Sequence, residues 1–295
     1  MTVPGAILVV GDVIDDIIVR PRGPIRHDTD TPASIERRPG GSAANTAAWL
    51  GSIGADVHFF GRLGSADVPR HSAELERFGV QTHLDGDDEH PTGTIVILVE
   101  GESRTMLTDR GANVVFDLDS VPDDLIAVAN YLHFTGHTII DEPKREAVVR
   151  LIARARAHGA IVSVDPATAG FITDFGVADF MRLCDGVDIL RPNEDEACVL
   201  AGVTDVAIAT EKLTEHFPLV ITTCGGKGVL VAERGKPIVH VRVEPVAVVD
   251  PTGAGDSFNA GLLAALASGA SPVEAAENGA RVAAGGLLTV GGRPA

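Results

Sequence analysis

Short apolar runs rich in β-branched residues recur along the chain with helix-length stretches between them, and this alternation limits the fold more than any other feature. Ala6–Val10, Val57–Phe60, Tyr131–Phe134, Ile161–Val164, Val187–Leu190 and Leu219–Thr222 are four or five residues each. That is too short for a buried helix, so they read as strands covered on both faces. Helical segments are predicted from Ser42 through Leu50, near Val68–Phe78 and near Glu142–His158. Strands and helices in alternation imply an α/β fold, with a mainly parallel central sheet between helical layers. Only 4% of the chain is aromatic, so Val, Ile, Leu and Ala must fill the core.

In such a sheet, ligands bind beyond the carboxyl ends of the strands. Gly11-Asp12, Asp165-Pro166, Asn193-Glu194, Thr223–Gly225 and Asp250–Asp256 all follow predicted strands, the last after the β-branched run Val246–Val249. Two segments, 13–39 and 92–110, break the alternation. Pro21 to Pro39 is rich in Pro, Arg and Asp without a helical stripe, whereas Thr94–Val99 and Arg104–Thr108 read as a hairpin. They are expected to pair as a small β lid over the rim, within a single domain spanning 1–295.

The 24 Lys and Arg against 41 Asp and Glu give a formal charge of −17, which argues against nucleic acid or an anionic membrane as partner. Cys184, Cys198 and Cys224 are scattered without metal-binding or disulfide spacing. Met1-Thr-Val-Pro-Gly has no basic region followed by a long apolar one, and no run approaches a membrane span. A cytoplasmic protein is the expectation.

Asp250-Pro-Thr-Gly-Ala-Gly-Asp-Ser-Phe-Asn-Ala-Gly261 carries the chemistry. Phe258, Leu262, Leu263 and Leu266 form one helical stripe after a glycine turn, so the helix begins there. Free N–H groups and the positive dipole end of a helix start stabilise phosphate charge. A carboxylate at Asp256 is placed to accept a proton from a hydroxyl beside them. A glycine turn with an acidic cap is the plain alternative, and these residues alone leave both open. Walker, dinucleotide-binding and G-x-S-x-G motifs are all absent, and Lys227 precedes a glycine.

This segment resembles the C-terminal motif of the ribokinase/PfkB family of carbohydrate kinases. Gly40-Gly-Ser-Ala-Ala-Asn-Thr-Ala47, Leu50–Ala55 and Phe60–Gly64 resemble the same family's N-terminal motif, in the right order and about two hundred residues earlier. The resemblance runs over nearly the whole chain, including Arg191–Glu196 and Thr222–Val229. It implies a ribokinase-like three-layer α/β/α sandwich with a β lid, and a phosphotransferase acting on an alcohol group. ATP would give its γ-phosphoryl group to a hydroxymethyl group of a sugar or sugar-like substrate. Asp256 would be the base, and Gly253, Ala254 and Gly255 the anion hole.

By the same resemblance, Asn193 and Glu196 organise Mg²⁺ on the nucleotide, largely through water, although a helix cap with its capping-box partner is the plain reading of that pair. Thr223, Gly225 and Gly228 form the nucleotide-binding turn, and Asn278 contacts adenine. Asp250 and the carbonyl of Thr252 match positions that hold a monovalent cation such as K⁺ in some members. Asp12, Asp16, Gly41 and Asn45 lie where sugar hydroxyls are read.

The chain departs from the ribokinase pattern at Ile14 and Ser42, where Asn and Lys are usual, and near Gly136-His137, where a glutamate is expected. Arg104 and Arg110 read first as a solvated face, with charge for an acidic or phosphorylated sugar as the alternative. The lid residues Ile17, Val19, Ile95 and Ile97 suggest a homodimer. A nucleoside kinase and a 2-keto-3-deoxygluconate kinase are rival readings on the same fold, and a binding protein without catalysis is a rival of another class.

Overall fold

Alternation within each strand decides which layer its side chains join. In β1 (Ala6–Val10), Leu8 and Val10 enter one hydrophobic core while Ile7 and Val9 enter a second on the opposite face. The computed structural model describes residues 5–100, 103–139 and 144–295. Among these, the further strands are β2 (Ile14–Pro21), β3 (Ala33–Gly40), β4 (Val57–Gly64), β5 (Gln81–Asp87), β6 (Gly93–Glu100), β7 (Ser103–Asp109), β8 (Ala129–Thr135), β9 (Ile161–Asp165), β10 (Ile189–Leu190), β11 (Leu219–Thr223), β12 (Val229–Glu233) and β13 (Val239–Val241).

The main sheet has the order β13-β12-β11-β10-β9-β8-β1-β4-β5. It is parallel from β11 to β5, and the β11–β12 and β12–β13 pairs at one edge are antiparallel. Val148, Leu151, Ile152 and Ala155 of helix Arg145–Ala157 pack into the first core. The second core takes Ala43, Ala44, Ala47 and Leu50 from helix Ser42–Ser52, Phe258, Leu262 and Leu263 from helix Ala254–Ala267, and Ala275 and Ala276 from helix Pro272–Gly286. The result is an α/β/α sandwich with both conspicuous motifs on one face. Residues 140–143, which include the expected start of the helix near Glu142, lie outside the described residues.

β3-β2-β6-β7 form a separate small sheet from the two segments read as a lid. β2 pairs antiparallel with β3 and parallel with β6, and β6–β7 is a hairpin. No helix among the described residues is long and apolar enough to cross a membrane.

The predicted strand at Val246–Val249 does not form. The sheet stops at Val241, and Pro245 interrupts the donors a further strand would need. Instead the Val249 N–H donates to the Leu287 carbonyl at 2.8 Å, beyond the last turn of helix Pro272–Gly286. The glycine turn is therefore entered from an extended, half-exposed segment. Val246 and Val248 of that segment help to wall a cavity.

Candidate active site

Helix Ala254–Ala267 starts at Gly253, whose φ of 76° is left-handed. A Cβ there would fall 2.5 Å from the Gly292 Cα, so glycine is needed both for the backbone angle and for the close approach. The Ala254 N–H turns back to the Pro251 carbonyl at 3.3 Å, and the Ser257 N–H caps onto Gly253 O at 2.9 Å. The N–H groups of Gly255 and Asp256, which lie between them, belong to the helix start, where donors lack intrahelical acceptors.

Asp256 is 9% exposed. Its Oδ1 accepts from the Ser42 Oγ at 2.7 Å and its Oδ2 from the Asn45 Nδ2 at 3.0 Å. Burial pushes its pKa up to about 6; these two hydrogen bonds and Arg191 pull it down, and Asp12 adds to the rise. A carboxylate with that value is ionised at neutral pH and basic enough to accept a proton. Asp16 on β2 behaves similarly, raised to about 7 by burial and by Asp12, Asp15 and Asp256, with Arg293 opposing. Its neighbour Asp15 points to the other side of the strand, is paired with Arg37 and Arg70, and is held well below the usual carboxylate range.

Asp12 is engaged differently. Its carboxylate accepts from the N–H groups of Ser42 at 2.9 Å and Ala43 at 3.1 Å, so it caps helix Ser42–Ser52 from the end of β1. Gly41 makes room for this, since a Cβ on it would sit 2.4 Å from the Asp12 carbonyl. Asn45 is 5% exposed and bridges Asp256 to Arg293. Asp12, Asp16, Gly41, Asn45 and Asp256 are thus linked around one point.

A cavity of about 460 Å³ opens on the other side of the glycine turn. Thr223, Gly225, Gly228, Ala254, Gly255, Val243, Val246, Ala283 and Leu287 are among its walls. A mostly apolar slot ending at free helix-start amides suits a flat base with a phosphate tail. Asn278 is not among the lining residues: its Nδ2 donates to the Gly261 carbonyl at 2.7 Å and its Oδ1 accepts from Arg281 at 2.7 Å. It is spent on the close packing of two helices, where a Cβ on Gly261 would lie 2.8 Å from Val282.

Asn193 and Glu196 form a full capping box. Asn193 N–H and Nδ2 donate to Glu196 at 2.8 and 2.6 Å, and Glu196 N–H donates back to the Asn193 Oδ1 at 2.9 Å. Glu196 is 1% exposed, and no cluster of three or more acidic, His or Cys side chains suited to a metal occurs among the described residues. The pair fits a divalent ion only through water, as a hydrated ion carried by phosphates.

The residues matched to a monovalent cation do not fit one as they stand. Asp250 Oδ1 accepts from Thr252 N–H at 2.9 Å, Thr252 Oγ1 at 2.7 Å and Arg104 Nη2 at 2.9 Å, and its Oδ2 accepts from Gly291 N–H at 3.1 Å. Arg104 also donates to Thr252 Oγ1 at 2.7 Å. Arg104 lies on an exposed face, as read, and its guanidinium also supplies a positive charge at Asp250. Arg110 is likewise engaged, donating to the His137 carbonyl at 2.6 Å.

The pfkB family carbohydrate kinase model matches residues 5–294. The chain belongs to the pfkB family of carbohydrate kinases. It is 29% identical to a fructokinase of Salmonella typhimurium over 276 residues, 90% of this chain and 86% of that one. The adenosine kinase of Sinorhizobium meliloti superposes with a TM-score of 0.87 at 28% identity, covering 99% of this chain and 96% of its own. The fructokinase of Vibrio cholerae O395, solved with fructose, ADP and calcium ion, has a TM-score of 0.82 at 26% identity, covering 98% and 94%. The sandwich with its small second sheet is the ribokinase-like fold.

A pfkB-family kinase is a phosphotransferase with an alcohol acceptor, and several residues around this centre escaped the sequence reading. Ser42 stands where ribokinases carry Lys, and it bonds Asp256. Arg191 is 4% exposed and pairs with Asp165, and its Nε donates to Asn259 Oδ1 at 2.8 Å. A Cβ on Gly255 would lie 3.0 Å from the Arg191 Nη2, so this cation sits against the helix start. Asn259 closes the triangle, donating to Asp165 at 2.8 Å. For Asn259 and Arg191 the sequence signals were the polar residue three after Asp256 and the Arg two before Asn193.

Proposed function

We propose that the protein transfers the γ-phosphoryl group of ATP to a hydroxymethyl group of a sugar or sugar-like substrate. The observation that carries this is Asp256 itself, a buried carboxylate raised to about 6 at the mouth of a helix, between a polar acceptor side and an apolar cavity. Asp256 takes the hydroxyl proton while the substrate oxygen forms a bond to the γ-phosphorus. The bond from that phosphorus to the β–γ bridging oxygen breaks, and ADP leaves. The Gly255 and Asp256 amides, with Gly253 shaping the turn, face the transferring group, and Arg191 behind Gly255 adds positive potential as charge spreads over its oxygens. Mg²⁺ bound with the nucleotide would neutralise the phosphates, with Asn193 and Glu196 in its outer, water-mediated shell.

Asp16 accepts from substrate hydroxyls, with Asn45 and Gly41 beside it. Asp12 orients the helix that carries Ser42 and Asn45. Thr223, Gly225 and Gly228 take the nucleotide. Closing the small sheet over the acceptor keeps water from competing for the phosphoryl group. Ile35, Met106 and Leu107 are exposed on that sheet and support pairing of two copies through it, which light scattering would check.

A nucleoside acceptor is the second reading, favoured by the likeness to an adenosine kinase. ADP release measured over a panel of ketohexoses, pentoses, sugar acids and nucleosides separates the two. If no acceptor stimulates ADP release while one of them raises the melting temperature, the kinase reading gives way to a binding protein.

A further inference from the structure

Residues 290–293 are stitched to four parts of the site. The Val290 carbonyl accepts from Arg38 of β3 at 2.6 Å, the Gly291 N–H donates to Asp250, and the Gly292 carbonyl accepts from the Trp49 Nε1 at 2.9 Å. Arg293 completes the set, donating Nε to Asn45 Oδ1 at 3.3 Å and Nη2 to the Gly40 carbonyl at 3.2 Å.

Arg293 is 7% exposed, and its Nη1 has no hydrogen-bond partner. Burying a guanidinium with incomplete compensation is costly, and a strap could be made with less. Its neighbours indicate what is gained. An Asn amide can present either end to a carboxylate, but only Nδ2 can donate. With Arg293 donating to the Asn45 Oδ1, the Nδ2 is turned to Asp256. Asp16 lies against the same residue that Arg293 holds: a Cβ on Gly40 would fall 2.3 Å from the Asp16 Oδ2.

We propose that Arg293 is a positioning residue of the phosphoryl-transfer reaction, locking the Asn45 amide toward Asp256 and standing as the cation beside the Asp16 hydroxyl acceptor. This rests on the kinase reading above. The charged groups facing Asp16 are Asp12 at the end of β1, Asp15 beside it on β2 and Asp256 on the helix, all acidic, with Arg293 the opposing cation. Arg37 and Arg70 are committed to Asp15, and His71 lies 3.5 Å from it. Glu74 and Arg70 of helix Val68–Glu76 act on Arg293 from its other side. Burial draws the Arg293 guanidinium down to about 10, so it stays charged at neutral pH. Without it, no cation would act against Asp12, Asp15 and Asp256 at Asp16, and a protonated Asp16 would lose acceptor strength.

The test compares Arg293→Met, which removes charge and donors, with Arg293→Lys, which keeps the charge. Asp16 is followed by carboxyl-carbon NMR titration without substrate, its signal assigned with Asp16→Asn. The expected result is a midpoint about one unit higher in R293M and unchanged in R293K. In steady-state kinetics with the best acceptor of the panel, R293M should raise KM about fivefold at pH 7, with the deficit shrinking toward pH 9. R293K should keep the wild-type pH profile and lose several-fold in kcat, since an ammonium lacks the planar fork whose separate nitrogens reach Asn45 and Gly40. An unchanged Asp16 midpoint in folded R293M, or a KM defect independent of pH, overturns the proposal. If R293M does not fold, R293Q takes its place in both measurements. If the wild-type protein turns over no acceptor, the kinase reading fails, and the NMR titration still decides whether Arg293 governs Asp16.

Discussion

On the proposed acceptor side of Asp256, Ser42 and Asn45 bond the carboxylate and Arg293 reaches Asn45 across 248 residues of chain; on the proposed nucleotide side, Thr223, Gly225 and Gly228 lie within a single turn. The acceptor side holds buried charges bridged by neutral groups such as Asn45, two of them raised toward neutrality. Small and apolar residues dominate the proposed nucleotide side, where backbone would do the recognising. The contrast follows from the chemistry each side faces. A sugar hydroxyl must be selected and deprotonated, which needs side chains of defined charge, whereas a base and its phosphates can be held by shape and by helix-start amides.

The sharpest way to break this division is Asp256→Asn. It should lower kcat by about a thousandfold or more while ADP affinity, measured by calorimetry, stays within about threefold. A parallel loss of ADP binding would mean that the two sides are not separable. Next in size is Gly228→Ala on the other side. The φ of 108° and a Cβ only 2.3 Å from the Val241 carbonyl would deform the turn. The KM for ATP should rise about tenfold and that for the acceptor should stay unchanged.

The third comparison uses pH. In the proposed reaction Asp256 and Asp16, raised to about 6 and about 7, both act ionised, so kcat/KM for the acceptor should climb as pH rises through that window and level off above it. Once the ionisation of the terminal phosphate of ADP, about 6, is allowed for, ADP affinity should lack a matching step, because Glu244 is the only ionisable residue lining the cavity among the described residues. A step of equal size in both would refute the assignment of titrating groups to the acceptor side. The smallest effect is expected from replacing K⁺ by choline at constant ionic strength, with a change in rate below about twofold because Arg104 already holds Asp250. A strong K⁺ dependence would show that Arg104 leaves Asp250 during turnover.

Legibility from sequence followed the same divide. Thr223, Gly225 and Gly228 line the cavity, and the Gly253–Asp256 turn begins a helix, because glycines and helix starts act over a few residues. Val246–Val249 failed as a strand although its composition was right, since a strand needs a neighbour and the sheet ends at Val241. The resemblance alone gives Asn278 to adenine, and its bond to the Gly261 carbonyl is known only once the two helices are packed. Arg104 reads as a surface charge until β7 is folded against the turn at Asp250.

Local pattern by itself determined the alternating α/β layers, the two segments of the small sheet, and Asp256 at the head of its helix. These depend on periodicity, glycine conformations and helix polarity, all properties of neighbouring residues. Only the tertiary structure decided that Ser42 and Asn45 grip that carboxylate, that Arg191 lies against Gly255, and that Arg293 sits beside Asp16. Such pairings depend on which residues are excluded from water together, and that is a property of the packed core.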